Sequence, residues 1–387
     1  MPPLVINLRQ ASDSRDIVHR AVQTLAEGKL VVFPTETVYS VAASVQHPDA
    51  VDRVCAAKGR SQGDPLSLAV KSYDDALDYA PCLAAAGTSM RAAGRLARRC
   101  WPGPVTLVVP YASEDSSTPA SLIEHCDERV RTAISPEGRI GIRVPAHPLI
   151  HEVLRMLAGP LVLTSVNRSG QPPAVDGKAA AESLKQYVEL VLDDGACHYG
   201  QPSTVVAADG NGWKRLREGV VPETALKRLS NMLVLVVCTG NTCRSPMAEA
   251  ILKKLLAEQM KCAISELEER GVQVSSAGVA AAPGSPASPE AVEIVGEMGG
   301  DITGHGSQPL VDKLATDADL ILTLTNVHRD AILRTWPQLE TKTKTLRSDG
   351  GDIGDPIGAP LEVYRKCAAQ IEQALQHRLD EIVSQIS

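Results

Sequence analysis

The sequence predicts an α/β protein of two domains. Three observations carry this expectation: a length of 387 residues, short apolar runs alternating with stretches of helical period, and a change in charge balance near residue 230. In the first part, Asp16 to Ala26 places apolar residues at helical spacing and precedes the apolar run Leu30 to Phe33, which reads as a strand. Further strand-like runs follow at Val105 to Val109, Ile140 to Val144 and Leu161 to Leu163, with helix-period stretches between several of them. In the second part, the all-apolar run Leu233 to Val237 ends in a glycine-containing loop and is followed by a helical pattern from Ser245 to Glu258. A buried parallel strand feeding a helix has this form. Val272 to Ser275 and Leu320 to Thr323 read as further strands, and Val363 to Ile386 as a long closing helix. Strands alternating with helices imply a doubly wound parallel sheet here. The boundary is expected after Lys227-Arg228, giving domains of 1–230 and 231–387 with no internal repeat and no low-complexity linker.

Charge divides the chain at the same place. Residues 1–230 hold 25 Lys and Arg against 25 Asp and Glu, and residues 231–387 hold 14 against 21, so the net charge of −7 belongs to the second part. An acidic chain is not built for non-specific nucleic-acid binding, although a neutral first half can still gather its arginines in one cleft for an anionic ligand. No apolar run reaches the roughly 18 residues of a membrane helix. The start, Met1 to Arg9, lacks a basic segment followed by an apolar one, so a cytoplasmic chain without membrane contact is expected. Nine cysteines, single except for Cys238 and Cys243, fit neither a disulfide framework nor a C-x-x-C zinc site, and reduced thiols are expected.

The strongest chemical signal is Cys238-Thr239-Gly240-Asn241-Thr242-Cys243-Arg244-Ser245, between a predicted strand and a helix start. Successive backbone N–H groups and a helix N-terminus make an anion site, and an arginine adds a bidentate clamp for phosphoryl oxygens. The same field favours the thiolate of Cys238, which makes it a nucleophile, and Ser245 can donate a hydrogen bond to it. Gly240 and Asn241 are residue types that tolerate positive φ. From these residues the segment after Met232 resembles the low-molecular-weight protein phosphatase family. The resemblance implies that Cys238 attacks phosphorus, that Arg244 holds the transferring group, and that Asn241 fixes the loop. It also implies an Asp-Pro pair near the C-terminus whose carboxylate is the general acid, here Asp355-Pro356, with Asp352 a turn residue. Ser275-Ser276-Ala277-Gly278 matches a further family segment, for structural reasons. No cofactor is implied for this domain.

Substrate choice follows from what surrounds the loop. Tyrosine-directed members resemble one another in an aromatic pocket wall, but Ile357 follows Asp355-Pro356 and no aromatic residue lies between Trp213 and Trp336. Thr242 stands where those members carry a bulkier aliphatic residue and protein-arginine phosphatases carry threonine. Phosphoarginine in a protein is therefore the expected substrate, with phosphotyrosine the alternative. A thioredoxin-coupled arsenate reductase is disfavoured, because Cys262 and Cys367 lie too far apart to form a mobile pair. Cys243 is either a reversible disulfide partner of Cys238 or a buried filler.

The first half carries Phe33-Pro34-Thr35-Glu36-Thr37-Val38-Tyr39, Lys58-Gly59-Arg60, Trp101 to Thr106, Gly141 to Pro145, Thr164 to Asn167 and Pro202 to Val206, and no Walker loop. These strings offer hydroxyls, an amide and cations at strand ends, a set able to hold phosphates and a small polar acid in one cleft. Their order and spacing over residues 10–225 resemble the YrdC family of threonylcarbamoyl-adenylate synthases. That resemblance implies an open, twisted α/β structure that makes threonylcarbamoyl-AMP from L-threonine, bicarbonate and ATP. The product is passed to a tRNA-modifying transferase complex that acts on adenosine 37. It implies that Lys58, Arg60, Ser203, Thr204 and Arg217 bind ATP, that Thr35, Ser165, Asn167 and Arg143 bind threonine, and that Mg2+ bridges the phosphates without protein side-chain ligands. Ser40 stands where the family has glycine, and Ala69 where many members have a ligand-facing histidine. The alternative for the whole chain is a phosphatase regulated by an inactive nucleotide- or RNA-binding YrdC-like domain.

Overall fold

The computed structural model describes residues 2–11, 13–59, 65–84, 90–112, 119–168, 170–210 and 212–386. The chain divides into two compact units, Met1–Leu229 and Ser230–Ser387.

The first unit is built on a ten-stranded sheet: β1 (Leu4–Asn7), β2 (Val31–Phe33), β3 (Ser40–Ser44), β4 (Ser67–Ala69), β5 (Val105–Pro110), β6 (Arg139–Arg143), β7 (Leu161–Ser165), β8 (Leu190–Asp193), β9 (Thr204–Asp209) and β10 (Gly212–Arg217). Their order across the sheet is β1-β8-β2-β3-β7-β4-β6-β5-β9-β10. The sheet is mixed. β3 runs antiparallel to both β2 and β7, whereas β4 and β6, and β5 and β9, pair in parallel. One face is covered by helices that include Pro48–Lys58 and Arg91–Cys100, through Val54, Leu96, Leu107 and Ile142. On the other face, Ser14–Ala26 and Pro148–Met156 pack over Phe33, Ala42, Leu161 and Leu163. Each buried Val, Leu, Ile or Phe among these contributes about 2 kcal/mol. Ala69 is fully buried in this second cluster, opposite Arg143 in the register.

The second unit has four strands, β11 (Met232–Cys238), β12 (Val272–Gly278), β13 (Leu320–Thr323) and β14 (Thr343–Thr345), all parallel in the order β12-β11-β13-β14. Alternation along β11 separates two cores. Met232, Val234, Val236 and Cys238 face Arg244–Met260 and Leu361–Gln376, while Leu235 and Val237 pack with Ile332 of Asn326–Thr335. Strand order reverses at β11, so the crevice beyond its carboxyl end, where Cys238 stands, is the expected ligand position of such a sheet.

The closing helix differs from the expectation of one element. It breaks into Leu361–Gln376 and Leu379–Val383. Arg378 turns inward at the break, and its guanidinium donates to the carbonyls of Leu346 and Thr345, each at 2.7 Å. Among the described residues no helix is long and apolar enough to cross a membrane.

Candidate active sites

In the second unit, β11 delivers Cys238 to a loop whose turn is made by Asn241 in the left-handed region, at φ 56°. Asparagine tolerates that region better than other side chains do. The turn sets the Asn241 N–H 3.2 Å from Cys238 Sγ, and Ser245 Oγ lies 3.0 Å from the same sulfur. Asn241 Nδ2 donates to Ser245 Oγ and Ser276 Oγ, both at 2.9 Å, and its Oδ1 accepts the Gln308 N–H at 2.9 Å. Because Ser245 Oγ accepts from Asn241, its own hydrogen is free to be donated to the sulfur. His305 Nε2 donates to the Asn241 carbonyl at 2.7 Å. Gly278 lets β12 approach the loop, since a Cβ there would lie 2.4 Å from the Thr239 carbonyl oxygen.

Arg244 is buried at the start of its helix. Its Nη2 donates to the Asp355 carboxylate and its Nη1 donates to the Ile353 carbonyl at 3.3 Å. The Asp355 side chain is 44% exposed against 6% for Arg244. Asp352 takes the structural part, accepting the Asn326 backbone N–H at 2.8 Å and its side-chain amide at 3.0 Å. Thr242 is partly exposed, with Oγ1 3.7 Å from Cys243 Sγ. The two aromatic residues of this unit are held elsewhere. Trp336 Nε1 donates to Asp312, and Tyr364 is buried with its hydroxyl 3.5 Å from Cys243 Sγ. Ile357 is 69% exposed. Burial pushes the Cys367 thiol up to about 12, against the opposing field of Arg244, which leaves it a poor nucleophile.

His305, Gln308 and His328 join the loop although sequence reasoning did not select them. His328 Nε2 lies 2.8 Å from Thr239 Oγ1. Burial pushes its imidazole down to about 4, with the positive charge of Arg244 acting in the same direction.

In the first unit, a cavity of about 480 Å³ opens over strands β3, β7, β4, β6, β5, β9 and β10, with Leu163 of the cluster under Ser14–Ala26 and Pro148–Met156 in its lining. Ser40, Ser67, Thr106, Arg143, Ser165 and Ser203 line it. Gly141 makes room in its floor, where a Cβ would come within 3.2 Å of Ser67 Oγ. Lys58, buried at a helix end, donates to the Ser165 carbonyl and to Asn167 Oδ1, each at 2.6 Å, and Ser165 Oγ donates to the same Oδ1 at 2.6 Å. The structure thus joins residues expected to serve ATP and threonine separately. Arg217 donates to the Ser203 carbonyl at 3.0 Å and to its hydroxyl at 3.2 Å. Arg143 meets Glu36 at 2.6 Å and Thr37 Oγ1 at 2.9 Å, and Thr37 in turn meets Thr35 at 2.8 Å.

Four of the described residues expected to bind ligand do not line the cavity: Lys58 and Asn167, which reach it through Ser165, and Thr35 and Thr204. Thr35 Oγ1 is buried and donates to the Val38 carbonyl, and Thr204 Oγ1 is buried between the Val221 N–H and C=O. Arg60 lies outside the described residues. Ser40 has an ordinary strand conformation in register with Ser165, so its side chain needs no positive φ. Glu36, Thr37 and Thr106 stood within the strings read from sequence, whereas Arg139 and Lys214 on the cavity wall had no local signal.

Residues 23–219 match the Sua5–YciO–YrdC family model, described as telomere recombination, and residues 233–386 match the model for low molecular weight phosphotyrosine protein phosphatases. The chain belongs to both families. Its phosphatase-family part is 38% identical over 149 residues to the protein-arginine-phosphatase of Bacillus subtilis, covering 93% of that protein and 38% of this chain. Its YrdC-family part is 30% identical over 228 residues to the threonylcarbamoyl-AMP synthase of Pyrococcus abyssi, covering 58% of this chain and spanning only 60% of that synthase. A solved structure of P. abyssi Sua5 matches at a TM-score of 0.50 and 24% identity over 67% of this chain and 76% of that one, a likeness of fold. The YrdC-family unit is thus an open mixed α/β sheet and the phosphatase-family unit a doubly wound parallel one.

Proposed function

We propose that the chain is bifunctional, an L-threonylcarbamoyl-AMP synthase joined to a cysteine-dependent phosphatase of phosphorylated proteins. The observation that carries the phosphatase half is the thiol of Cys238 held between the Asn241 N–H and Ser245 Oγ, with the Arg244–Asp355 pair completing the site. Cys238 Sγ attacks phosphorus, the S–P bond forms, and the bond to the leaving group breaks as Asp355 supplies a proton. Water then attacks the phosphocysteine, Asp355 takes up its proton, and phosphate leaves with the thiolate restored. An arriving phosphoryl group takes over Arg244 and frees the exposed Asp355 carboxyl to meet the leaving atom. Phosphoarginine is the substrate this reading favours over phosphotyrosine. No aromatic wall is available for a phenyl ring, Thr242 offers a small polar one, and Asp355 can accept from a guanidinium N–H.

For the synthase half, the supporting observation is the cavity whose polar strand ends meet Lys58 through Ser165. Arg139, Lys214 and Arg217 on its wall suit a triphosphate, and Ser165 with Asn167 suits a small hydroxy amino acid. Among the described residues Glu137 is the single carboxylate on a wall otherwise rich in cations, a donor set that suits phosphates better than a bare cation. Mg2+ would therefore enter on the nucleotide, where it offsets phosphate charge. The product would serve a tRNA-modifying transferase complex.

Two assays on one preparation test this. Pyrophosphate release from ATP that requires both threonine and bicarbonate is expected; ATP binding without release would favour an inactive nucleotide-binding domain. Hydrolysis of an aryl phosphate, lost in Cys238→Ser, is expected, and its persistence in that variant would remove the phosphatase assignment.

A further inference from the structure

Thr239 follows the nucleophile and is exposed, yet its hydroxyl is held from behind by a buried histidine. Thr325 Oγ1 accepts the His328 backbone N–H at 3.3 Å and lies 2.9 Å from His328 Nδ1, an arrangement in which the Thr325 hydroxyl can donate to that nitrogen. With Nδ1 accepting, a neutral imidazole carries its hydrogen on Nε2. Burial keeps the ring neutral by pushing it down to about 4. The Nε2–H then donates to Thr239 Oγ1 at 2.8 Å, and the Thr239 hydroxyl hydrogen is left for an acceptor on the exposed side. A solvated threonine would spread over rotamers; this one is held in one position before any ligand arrives.

We propose that His328 is a positioning residue that presents the Thr239 hydroxyl as a fixed donor to a main-chain carbonyl of the polypeptide bearing the phosphorylated side chain. The Thr239 carbonyl already accepts the Ala280 N–H at 3.0 Å, so the hydroxyl is what the residue offers outward. A neutral donor at an exposed rim matches a neutral carbonyl, whereas the phosphoryl dianion has Arg244 and the loop N–H groups. This inference rests on the phosphatase reading.

The test compares a phosphorylated peptide with 4-nitrophenyl phosphate in the full chain carrying His328→Leu or His328→Gln. His328→Leu is expected to raise KM for the peptide about fivefold, the worth of one hydrogen bond. Its kcat and both constants for 4-nitrophenyl phosphate should change much less, and His328→Gln, with an amide N–H in place of Nε2–H, should recover the peptide KM. Equal losses on both substrates, or none on either, would overturn the inference while leaving the phosphatase reading intact. No hydrolysis of 4-nitrophenyl phosphate by the unmutated protein would overturn both. Should His328→Leu fail to fold, the imidazole nitrogen shifts of the unmutated protein decide: hydrogen on Nε2 supports the proposal and hydrogen on Nδ1 overturns it.

Discussion

Asn241→Ala is the substitution that tests most directly how the phosphatase loop is held. The side chain is fully buried and makes three hydrogen bonds of 2.9 Å, to Ser245, Ser276 and the Gln308 N–H. Each is worth about 1 kcal/mol net, and the stranded Gln308 N–H adds to the loss. Alanine at φ 56° costs about 1 kcal/mol more, since it has no polar side chain to favour that region. The sum is about 4 kcal/mol. Asn241→Gly removes the same bonds without the left-handed penalty, so it should cost about 1 kcal/mol less than the alanine variant. Amide hydrogen exchange of the β11 and β12 backbone reports this unit alone in the intact chain. A loss below about 1 kcal/mol would show that water replaces the three bonds at no cost. Equal losses for alanine and glycine would remove backbone strain from the account.

Asp355→Asn should slow hydrolysis by roughly 10²-fold or more for poor leaving groups and far less for good ones. A series of aryl phosphates shows this, and uniform slowing would deny Asp355 the general-acid role. Lys58→Met should reduce threonine-dependent pyrophosphate release at least about tenfold, as expected for charged hydrogen bonds, and leave aryl phosphate hydrolysis as it was. Loss of both activities would indicate unfolding. His328 supplies a pH signature. Its unfolded value of 6.5 exceeds its folded value of about 4, so between these pH values the unfolded chain binds the extra proton and stability falls as pH falls. The loss approaches about 3 kcal/mol by pH 4, with Arg244 adding to it and Asp355 and Asp352 opposing it. Urea unfolding of the phosphatase unit at pH 7 and pH 4.5 should show it, and His328→Gln should flatten it.

What the sequence shows about each site depends on whether the site is contiguous. Cys238 to Ser245 is one string, and the strand before it and helix after it are where periodicity places them. The partners that meet the string, Ser276, His305, Gln308 and His328, arrive from distant segments, and nothing local marks a histidine as the one that will meet a carbonyl or a threonine. In the first unit β2, β5, β6 and β7 coincide with apolar runs, but β3 is Ser-Val-Ala-Ala-Ser and β4 only three residues, too small and short for a pattern of period two to show. The mixed strand order is equally silent. The break in the closing helix is invisible because the apolar spacing continues through it; only the carbonyls of Thr345 and Leu346 explain why Arg378 turns inward.

Two of the cation–carboxylate pairs at these sites, Arg244–Asp355 and Arg143–Glu36, differ in a way that suits them to different work. Arg244 is buried and Asp355 half exposed, so the carboxylate can leave at little cost once a phosphoryl group supplies the compensating charge. Arg143 is buried and Glu36 nearly so, with side chains 7% and 11% exposed, and Glu36 also accepts the Ala146 N–H at 3.0 Å. Pulling that pair apart would strand a buried charge, a loss of about 3–5 kcal/mol that a small ligand would have to offset. Arg143 is therefore better suited to hold the Thr35–Thr37 turn against the cavity than to capture a ligand carboxylate with its full charge. A triphosphate in the cavity, as proposed, would then be held by the more exposed cations. Among them Arg139 donates to the Ala208 carbonyl at 2.7 Å and meets, at 3.5 Å, an Asp209 that is itself 44% exposed, so that ion pair can open without stranding a charge in the core.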